Sequence, residues 1–450
     1  MLRFIILLIT IITLNILIWP MQPICFGQTP NADPENPSKG SDLWNELSDG
    51  LNLSLRFLTF GTYQDIADST QNPENDFLKV PRYLADLDLR PDAGLHFRRW
   101  DLNIKPRMNL QYKAWEDGTQ KGEDDREDDW FINEWLCRLR VMDNFFTSYG
   151  RENLQWGPSF LFSPSNPFFS DNGRTNPKKE LPGMDFARLV WLPNMEWTIS
   201  LIMNMDEGRQ EFTAWDFQKT YALKLDHMAP SGHAGLILAH QEEGREKIGV
   251  FGGWTTSDAL LLYGDAGFSE GSHALYPVED NNTLFGVSMQ AKDQESKAWK
   301  GSAVLGGAYT FLAGPTLTVE YLYNGLGYND EQANRYFQLR QNAFDAYVSH
   351  LWGLSRMTLS QTADPGLRFL RQNYAMLQYR QNNIRDKINL SLSWIQNLDD
   401  DSARFIANVD CYTGDHIEVF TIGSVNTGDK DTEFRTILDS FLMIGLEYTF

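Results

Sequence analysis

The chain has 450 residues, 22% of them charged, with a formal net charge of −21. That balance argues against nucleic acid as a partner, because a polyphosphate is held by Lys and Arg. Mean hydropathy is −0.40, and beyond the N-terminal segment no apolar run reaches the length of a membrane helix, which leaves a secreted protein or a barrel whose lipid face is hidden in alternation.

In chain order, Met1 and Leu2 precede one early cation, Arg3, and an apolar run follows from Phe4 to Trp19. After Pro20 the chain turns polar, and Cys25-Phe26-Gly27 places small residues at the −3 and −1 positions of a cleavage site. This predicts a signal peptide over residues 1–27, cut after Gly27. A membrane helix is the rival reading, since the run sits at the short edge of spanning length. A lipid anchor on Cys25 is a weaker one, because Gln22-Pro23-Ile24 lacks the small residue expected before it. Residues 28–46, rich in Pro, Asn and Asp, read as a flexible leader. Residues 47–450 exceed the usual size of one compact soluble core and suit one large barrel.

Period-two alternation then recurs to the end of the chain. It is cleanest from Trp100 to Ala114. Trp100, Leu102, Ile104, Pro106, Met108, Leu110, Tyr112 and Ala114 take one parity; Asp101, Asn103, Lys105, Arg107, Asn109, Gln111 and Lys113 take the other. A strand of that length outruns those of soluble domains and fits a tilted bilayer crossing. Pro106 inside it predicts a local bulge. Leu51–Phe60, Tyr83–Arg90, Ile132–Met142, Trp197–Asn204, Phe217–Asp226, Leu284–Ala291, Thr316–Tyr323, Tyr374–Arg380, Ile388–Asn397, Phe405–Cys411 and Ile417–Ser424 follow the rule less strictly. Turn signals stand at Arg90-Pro91-Asp92-Ala93-Gly94, Ala229-Pro230-Ser231-Gly232 and Thr413-Gly414-Asp415-His416. Longer polar segments occupy 61–82, 116–129, 152–183, 265–282 and 324–341. Aromatics make up 13% of the chain, enough for two interfacial girdles. Cys137 and Cys411, distant in sequence, read as unpaired.

The chain ends Leu442, Ile444, Leu446, Tyr448, Phe450 on one parity, with Gly445, Glu447 and Thr449 on the other. Gly445-x-x-Tyr448-x-Phe450 resembles the terminal signal that the barrel-assembly machinery of the Gram-negative outer membrane recognises. The expected fold is all-β: a transmembrane antiparallel up-and-down barrel of about 18 strands, with 16 the runner-up. The up-down assignment from the two ends does not meet between residues 283 and 324, so one segment there is miscounted. The leader then lies on the periplasmic side.

Two constellations bear on function. Lys105, Arg107 and Lys113 face away from lipid, and so do Glu134, Arg138 and Arg140 on the next strand, where Trp135, Cys137, Leu139 and Val141 take the lipid parity. Charge on the lipid face costs ~2–4 kcal/mol at the midplane. These groups are therefore expected on the inner wall, either as a selective positive patch or simply paired with Glu134 and Asp101. The second is the Pro- and Gly-rich stretch from Arg151 to Gly183, with Trp156, Asn166, Phe168, Phe169 and Arg174. It resembles the inward-folded constriction loop of porins, and more loosely a stretch of the capsule-assembly barrels of the Wzi type. An ordered external loop capping the barrel is the alternative. The acidic run Glu116–Asp129 reads as a solvated external loop without the spacing of a calcium hand.

No metal, cofactor or catalytic motif is called, and the chain is not read as an enzyme. The porin resemblance implies a passive or weakly selective channel for small polar or anionic solutes, integral to the outer membrane. Its expected partners are membrane lipid and lipopolysaccharide, the barrel-assembly machinery and the solutes, with a homotrimer as the assembly implied by resemblance. The alternative is a surface barrel with a plugged lumen that binds or assembles polysaccharide, with Trp156, Phe168 and Phe169 as exposed sugar platforms.

Overall fold

The computed structural model describes residues 45–450 apart from 170, 212–215, 243, 292–297 and 431. The signal peptide, its cleavage site, Cys25 and the leader up to residue 44 lie outside the described residues. Residues 45–49 are helical, so the last two leader positions are ordered. No helix among the described residues is long and apolar enough to cross a membrane, which says nothing of strands.

The strands are β1 (Leu51–Ile66), β2 (Tyr83–Phe97), β3 (Trp100–Ala114), β4 (Asp124–Met142), β5 (Phe145–Glu152), β6 (Met184–Trp191) and β7 (Trp197–Asp206). They continue as β8 (Thr220–Ala229), β9 (Gly232–Gln241), β10 (Arg245–Thr255), β11 (Leu260–Glu270), β12 (Tyr276–Glu279), β13 (Val287–Gln290), β14 (Trp299–Thr310) and β15 (Thr316–Asn324). Two helices follow, α1 (Asp330–Val348) and α2 (Trp352–Ala363). The chain closes with β16 (Asn373–Ile384), β17 (Ile388–Asn397), β18 (Ala403–Thr413), β19 (Ile417–Thr427) and β20 (Leu438–Thr449). Each strand except β12 and β13 pairs antiparallel with its neighbours, and β20 pairs with β1, so 18 strands close into a barrel with no free edge. Turns of two to five residues join strands at one end, and every long connection leaves from the other.

The alternation sets the two faces. Leu102, Ile104 and Leu110 on β3, Leu262 on β11, Leu305 on β14 and Leu442 and Ile444 on β20 point outward and are exposed. Trp100, Trp191, Trp197, Trp254 and Tyr309 ring the short-turn end on the same face, as an interfacial girdle requires. The bulge expected at Pro106 is present: the β3–β4 register shifts between Lys105 and Pro106, and Asn133 is the extra residue. Proline has no N–H for the ladder, so the partner strand absorbs the irregularity.

Four sequence expectations change. Arg90–Gly94 is not a turn; β2 runs through it, Pro91 opposite Leu55 on β1, and the chain reverses at Arg98 and Arg99. The proline is accommodated because the β2–β3 ladder is open between Leu89–Met108 and Ala93–Ile104. Leu284–Ala291 is not a barrel strand: Val287–Gln290 pairs with Tyr276–Glu279 in a hairpin beyond the wall, which accounts for the miscount. The acidic run is loop only to residue 123; from Asp124 it extends β4 beside β3, Asp124 opposite Ala114. Residues 324–341 are largely helical. Asn329 caps α1, its side chain accepting from Gln332 N while Gln332 returns the bond to Asn329 N. That capping box is legible in the sequence. The hairpin and α1 share a core of Tyr276, Met289, Tyr328, Tyr336, Leu339 and Leu370, α2 packs on α1, and together they form a cap at the long-loop end.

Candidate functional site: the lumen and its inward segment

Residues 153–183 leave β5 and cross the barrel interior before entering β6. Phe160, Leu161 and Phe162 reach one wall, where Leu161 is fully buried among Val304, Leu322, Tyr374, Met376, Ile395 and Ile406. These side chains face inward from β14 to β18. Two buried carboxylates fix the backbone there. Glu320 of β15 accepts from Phe160 N at 2.6 Å, Leu161 N at 2.9 Å and the Tyr263 hydroxyl at 2.6 Å. Asp265 of β11 accepts from Ser165 N at 2.8 Å and the Ser163 hydroxyl at 2.7 Å. The wall is shaved to receive the segment: a Cβ on Gly267 would stand 2.0 Å from the Pro164 carbonyl oxygen, and one on Gly249 2.5 Å from that of Ser165.

The other end of the segment meets a different wall. Arg107 of β3 binds Glu180 through two parallel bonds, Nε to Oε2 at 2.5 Å and Nη2 to Oε1 at 2.8 Å. Arg56 of β1 lies 3.4 Å from the same carboxylate. Burial works to raise the Glu180 carboxyl, but Arg107, Arg90 and Arg56 outweigh it and hold it below its ordinary value. Lys178 reaches Glu418 of β19 and, at 3.1 Å, Glu447 of β20. Burial works to lower the Lys178 ammonium, and these two carboxylates outweigh it, so it is raised. The segment is thus tied by packing and backbone bonds at one side and by ion pairs at the other.

The remaining named residues fall as follows. Lys105 pairs with Glu134 at 3.1 Å, Arg138 with Asp101 at 2.9 Å, and Lys113 with Glu127 at 2.6 Å. Arg140 is exposed, its guanidinium 5.7 Å from the centre of the Phe146 ring. Arg107 is only 4% exposed, and its Nη1 also donates to the Pro91 and Pro106 carbonyls at 2.9 and 2.7 Å. It fills the gap that the two prolines open in the ladder, so it is buried behind the segment while the other cations line the lumen.

Arg151 lies at the end of β5, opposite Trp135 on the lipid parity, and pairs with Asp185 at 2.7 Å, so it is outside the inward segment. Asn166 makes a turn, accepting from Phe168 N at 3.0 Å and donating to the Leu154 carbonyl at 2.9 Å. Arg174 staples the segment to itself through the carbonyls of Pro158 and Ser159, both at 2.7 Å. Trp156 packs on Phe168, and Phe168 and Phe169 on Phe186 of β6. The polysaccharide alternative required these rings as exposed platforms; they pack on one another and on Phe186, and Phe169 is 5% exposed. Gly445 faces inward under the Phe420 ring, Tyr448 stacks edge-on with Phe450, and Phe450 N donates to the Leu55 carbonyl at 2.9 Å, sealing β20 to β1. Sequence reading missed Asp265, Glu320, Leu161 and Glu180. Glu320 sat visibly on the polar parity of its strand, but its backbone partners lie about 160 residues away in a segment without period.

No protein-family model matches the chain, and no curated protein matches it. Solved structures do. The outer-membrane protein OprD from Pseudomonas aeruginosa aligns over 89% of this chain and 94% of its own, at 9% identity and a TM-score of 0.53. Acinetobacter baumannii OccAB1 aligns over 92% and 99%, at 12% identity and 0.54. The chain has the fold of an outer-membrane β-barrel. Pseudomonas aeruginosa OccK11 shares it over 90% and 96%, at 11% identity and 0.51. At such identity the likeness concerns the barrel and its strand number, not the residues of the lumen, whose chemistry rests on the contacts given above.

Proposed function

We propose that the protein is an outer-membrane porin, a passive or weakly selective channel for small polar or anionic solutes. The observation that carries this reading is the pairing of a closed 18-stranded wall, apolar outside, with a chain segment drawn across its interior. A barrel of that size encloses more space than its own side chains fill, and residues 153–183 narrow it. Lys105, Lys113, Glu134, Arg138 and Arg140 line the polar wall as solute-facing groups. With most of their charges paired, they bias the field weakly, which fits modest selectivity. Cleavage near Gly27, assembly through Gly445, Tyr448 and Phe450 by the barrel-assembly machinery, and contact with lipopolysaccharide belong to the same proposal, as does a homotrimer. The packing of Trp156, Phe168 and Phe169 removes the sugar platforms on which the polysaccharide reading stood.

Single-channel recording of the refolded protein in a planar bilayer under a salt gradient tests it. A steady current is expected, with anion preference lowered by Arg138→Glu. A folded, heat-modifiable barrel that passes no current would sink the channel reading.

A further inference from the structure

Residues 364–372 leave α2 and reach β16 without regular structure, and they touch the cap and the inward segment in turn. The Pro365 carbonyl accepts from Leu275 N, beside β12, at 2.8 Å. Arg368 turns to the segment: its guanidinium meets Asp171 at 2.9 Å, and its Nε donates to the Leu161 carbonyl at 3.4 Å. Phe369 packs in the core that closes over Leu161, whereas Leu370 packs in the core of the cap. The Leu370 carbonyl accepts from Tyr328 N at 2.7 Å, and Arg371 pairs with Asp330 at the start of α1. Neighbouring α-carbons stand about 3.8 Å apart. A cap that moves further than this takes Leu370 with it and draws Phe369 and Arg368 off the segment. Gly366, Leu367 and Arg368 also border a chamber of about 580 Å³, which they share with Phe162 and Asp171 of the segment.

This strap is fastened at one acid. Glu433, in the connection from β19 to β20, accepts from Leu370 N at 2.9 Å, from Asn397 Nδ2 at 2.9 Å and from the Tyr374 hydroxyl. The same Tyr374 oxygen accepts from Arg371 N at 2.6 Å, so two consecutive strap amides depend on this pair. The titratable groups that face Glu433 come from four elements. Asp400, between β17 and β18, takes the Glu433 N–H at 2.9 Å and opposes a second negative charge beside it. Arg404 of β18 favours that charge. Tyr374 of β16 and Tyr336 of α1 are phenols, neutral over the range in which a carboxyl titrates. Burial outweighs the donors and Arg404 and pushes the Glu433 carboxyl up to about 7. Ionisation therefore puts a charge in the joint where strap, β16 and β17 meet. A buried charge is relieved by admitting water, and the strap, with no ladder of its own, is the neighbour that yields.

We propose that residues 364–372 form a pH-responsive strap between the cap and the inward segment. With Glu433 protonated, the strap holds the cap against the segment and keeps the passage narrow; ionisation of Glu433 frees strap and segment together and widens it. The widening of a conducting passage rests on the channel reading, whereas the coupled release does not.

The test reads the two ends of the strap separately. Amide protection, corrected for the intrinsic effect of pH on exchange, is followed at Leu370 and Leu161 between pH 5 and pH 8 in the folded barrel. Both are expected to lose protection together, about fivefold, as one carboxyl ionises. Glu433→Gln should hold both flat. Arg368→Gln combined with Phe369→Ala cuts the ties to the segment and leaves the Glu433 joint, so Leu370 should still respond to pH and Leu161 should not. Each variant is compared only as a folded, heat-modifiable barrel. In planar bilayers the single-channel current of the parent should rise over the same range, and that of neither variant. The proposal is overturned if Leu161 keeps its protection in the parent while Leu370 loses it, if Glu433→Gln responds as the parent does, or if Leu161 in the double variant still follows pH. A current unchanged by pH despite coupled release would overturn the widening. Coupled release in a barrel that passes no current would uphold the strap and refute the channel; a steady current with flat protection at both amides would do the reverse.

Discussion

The inner faces of β2 to β4 and of β14 to β18 do opposite things with the same period. On the first, the inward parity carries Asp86, Asp88, Arg90, Asp92, Lys105, Arg107 and Lys113; Arg90 pairs with Asp88, Arg107 with Asp92 and Glu180, Lys105 with Glu134 and Lys113 with Glu127. On the second, it carries Val304, Leu322, Tyr374, Met376, Ile395 and Ile406, closed over Leu161. The difference shows where the solvent is. A wall that meets water or ions keeps polar inner side chains, whereas a wall covered by another stretch of the same chain gains apolar inner side chains, with buried polar groups such as Glu320 bonded to the covering backbone. One segment touches both walls and is held by a different force at each.

Three measurements would break or sharpen that contrast. The largest effect is expected at the polar wall. Arg107→Met leaves Glu180 without its two-bond partner and the Pro91 and Pro106 carbonyls without a donor. A loss of about 3–5 kcal/mol is expected, as when one partner of a buried pair is removed. It would be read as an earlier midpoint in denaturant unfolding of the folded barrel. An unchanged midpoint would mean that the ion-paired end contributes little.

At the apolar wall, Leu161→Ala empties a fully buried site and should cost about 2–4 kcal/mol. The loss is local, so hydrogen exchange at Phe160, Leu161 and Ser165 should quicken while the β-ladder amides keep their protection. Raised salt should not reproduce this loss, although it should weaken the Lys178 and Glu180 contacts. Equal salt sensitivity at both ends would erase the distinction drawn here.

The smallest effect concerns how the cap is fastened above the apolar wall. Glu433 accepts from Leu370 N at 2.9 Å, Asn397 Nδ2 at 2.9 Å and the Tyr374 hydroxyl, and its own N–H donates to Asp400 at 2.9 Å. Burial pushes its carboxyl up to about 7, against the donors that would lower it. An acid raised by folding keeps a proton that the unfolded chain has released between its ordinary value, about 4.3, and about 7. Its contribution is therefore most favourable below that window and is lost as pH rises through it. Protection of the segment around Leu370 should fall between pH 5 and pH 7.5, by on the order of 1 kcal/mol. Glu433→Gln, neutral throughout, should flatten the profile; a parent profile already flat would contradict the assignment.

The comparison also explains what could be read before any coordinates. The Trp100–Ala114 alternation is strict because β3 has lipid on one side and a charged lumen on the other. Tyr374–Arg380 and Phe405–Cys411 alternate less strictly because Met376 and Ile406 face a covered interior rather than water. Leu284–Ala291 was counted with the wall because a buried hairpin strand and a buried barrel strand carry the same local pattern. Only its pairing with Tyr276–Glu279 distinguishes it.

The sequence by itself determined the period, the outward apolar face, the girdle aromatics and a final strand able to close the barrel. Each is a local consequence of side chains alternating across a strand. The tertiary structure alone decided that residues 153–183 cross the lumen, that Arg107 is buried in a gap between two prolines, and that Glu320 and Asp265 hold backbone. Those outcomes depend on contacts between segments 70 to 270 residues apart, and no pattern within one strand records which distant segment will meet it.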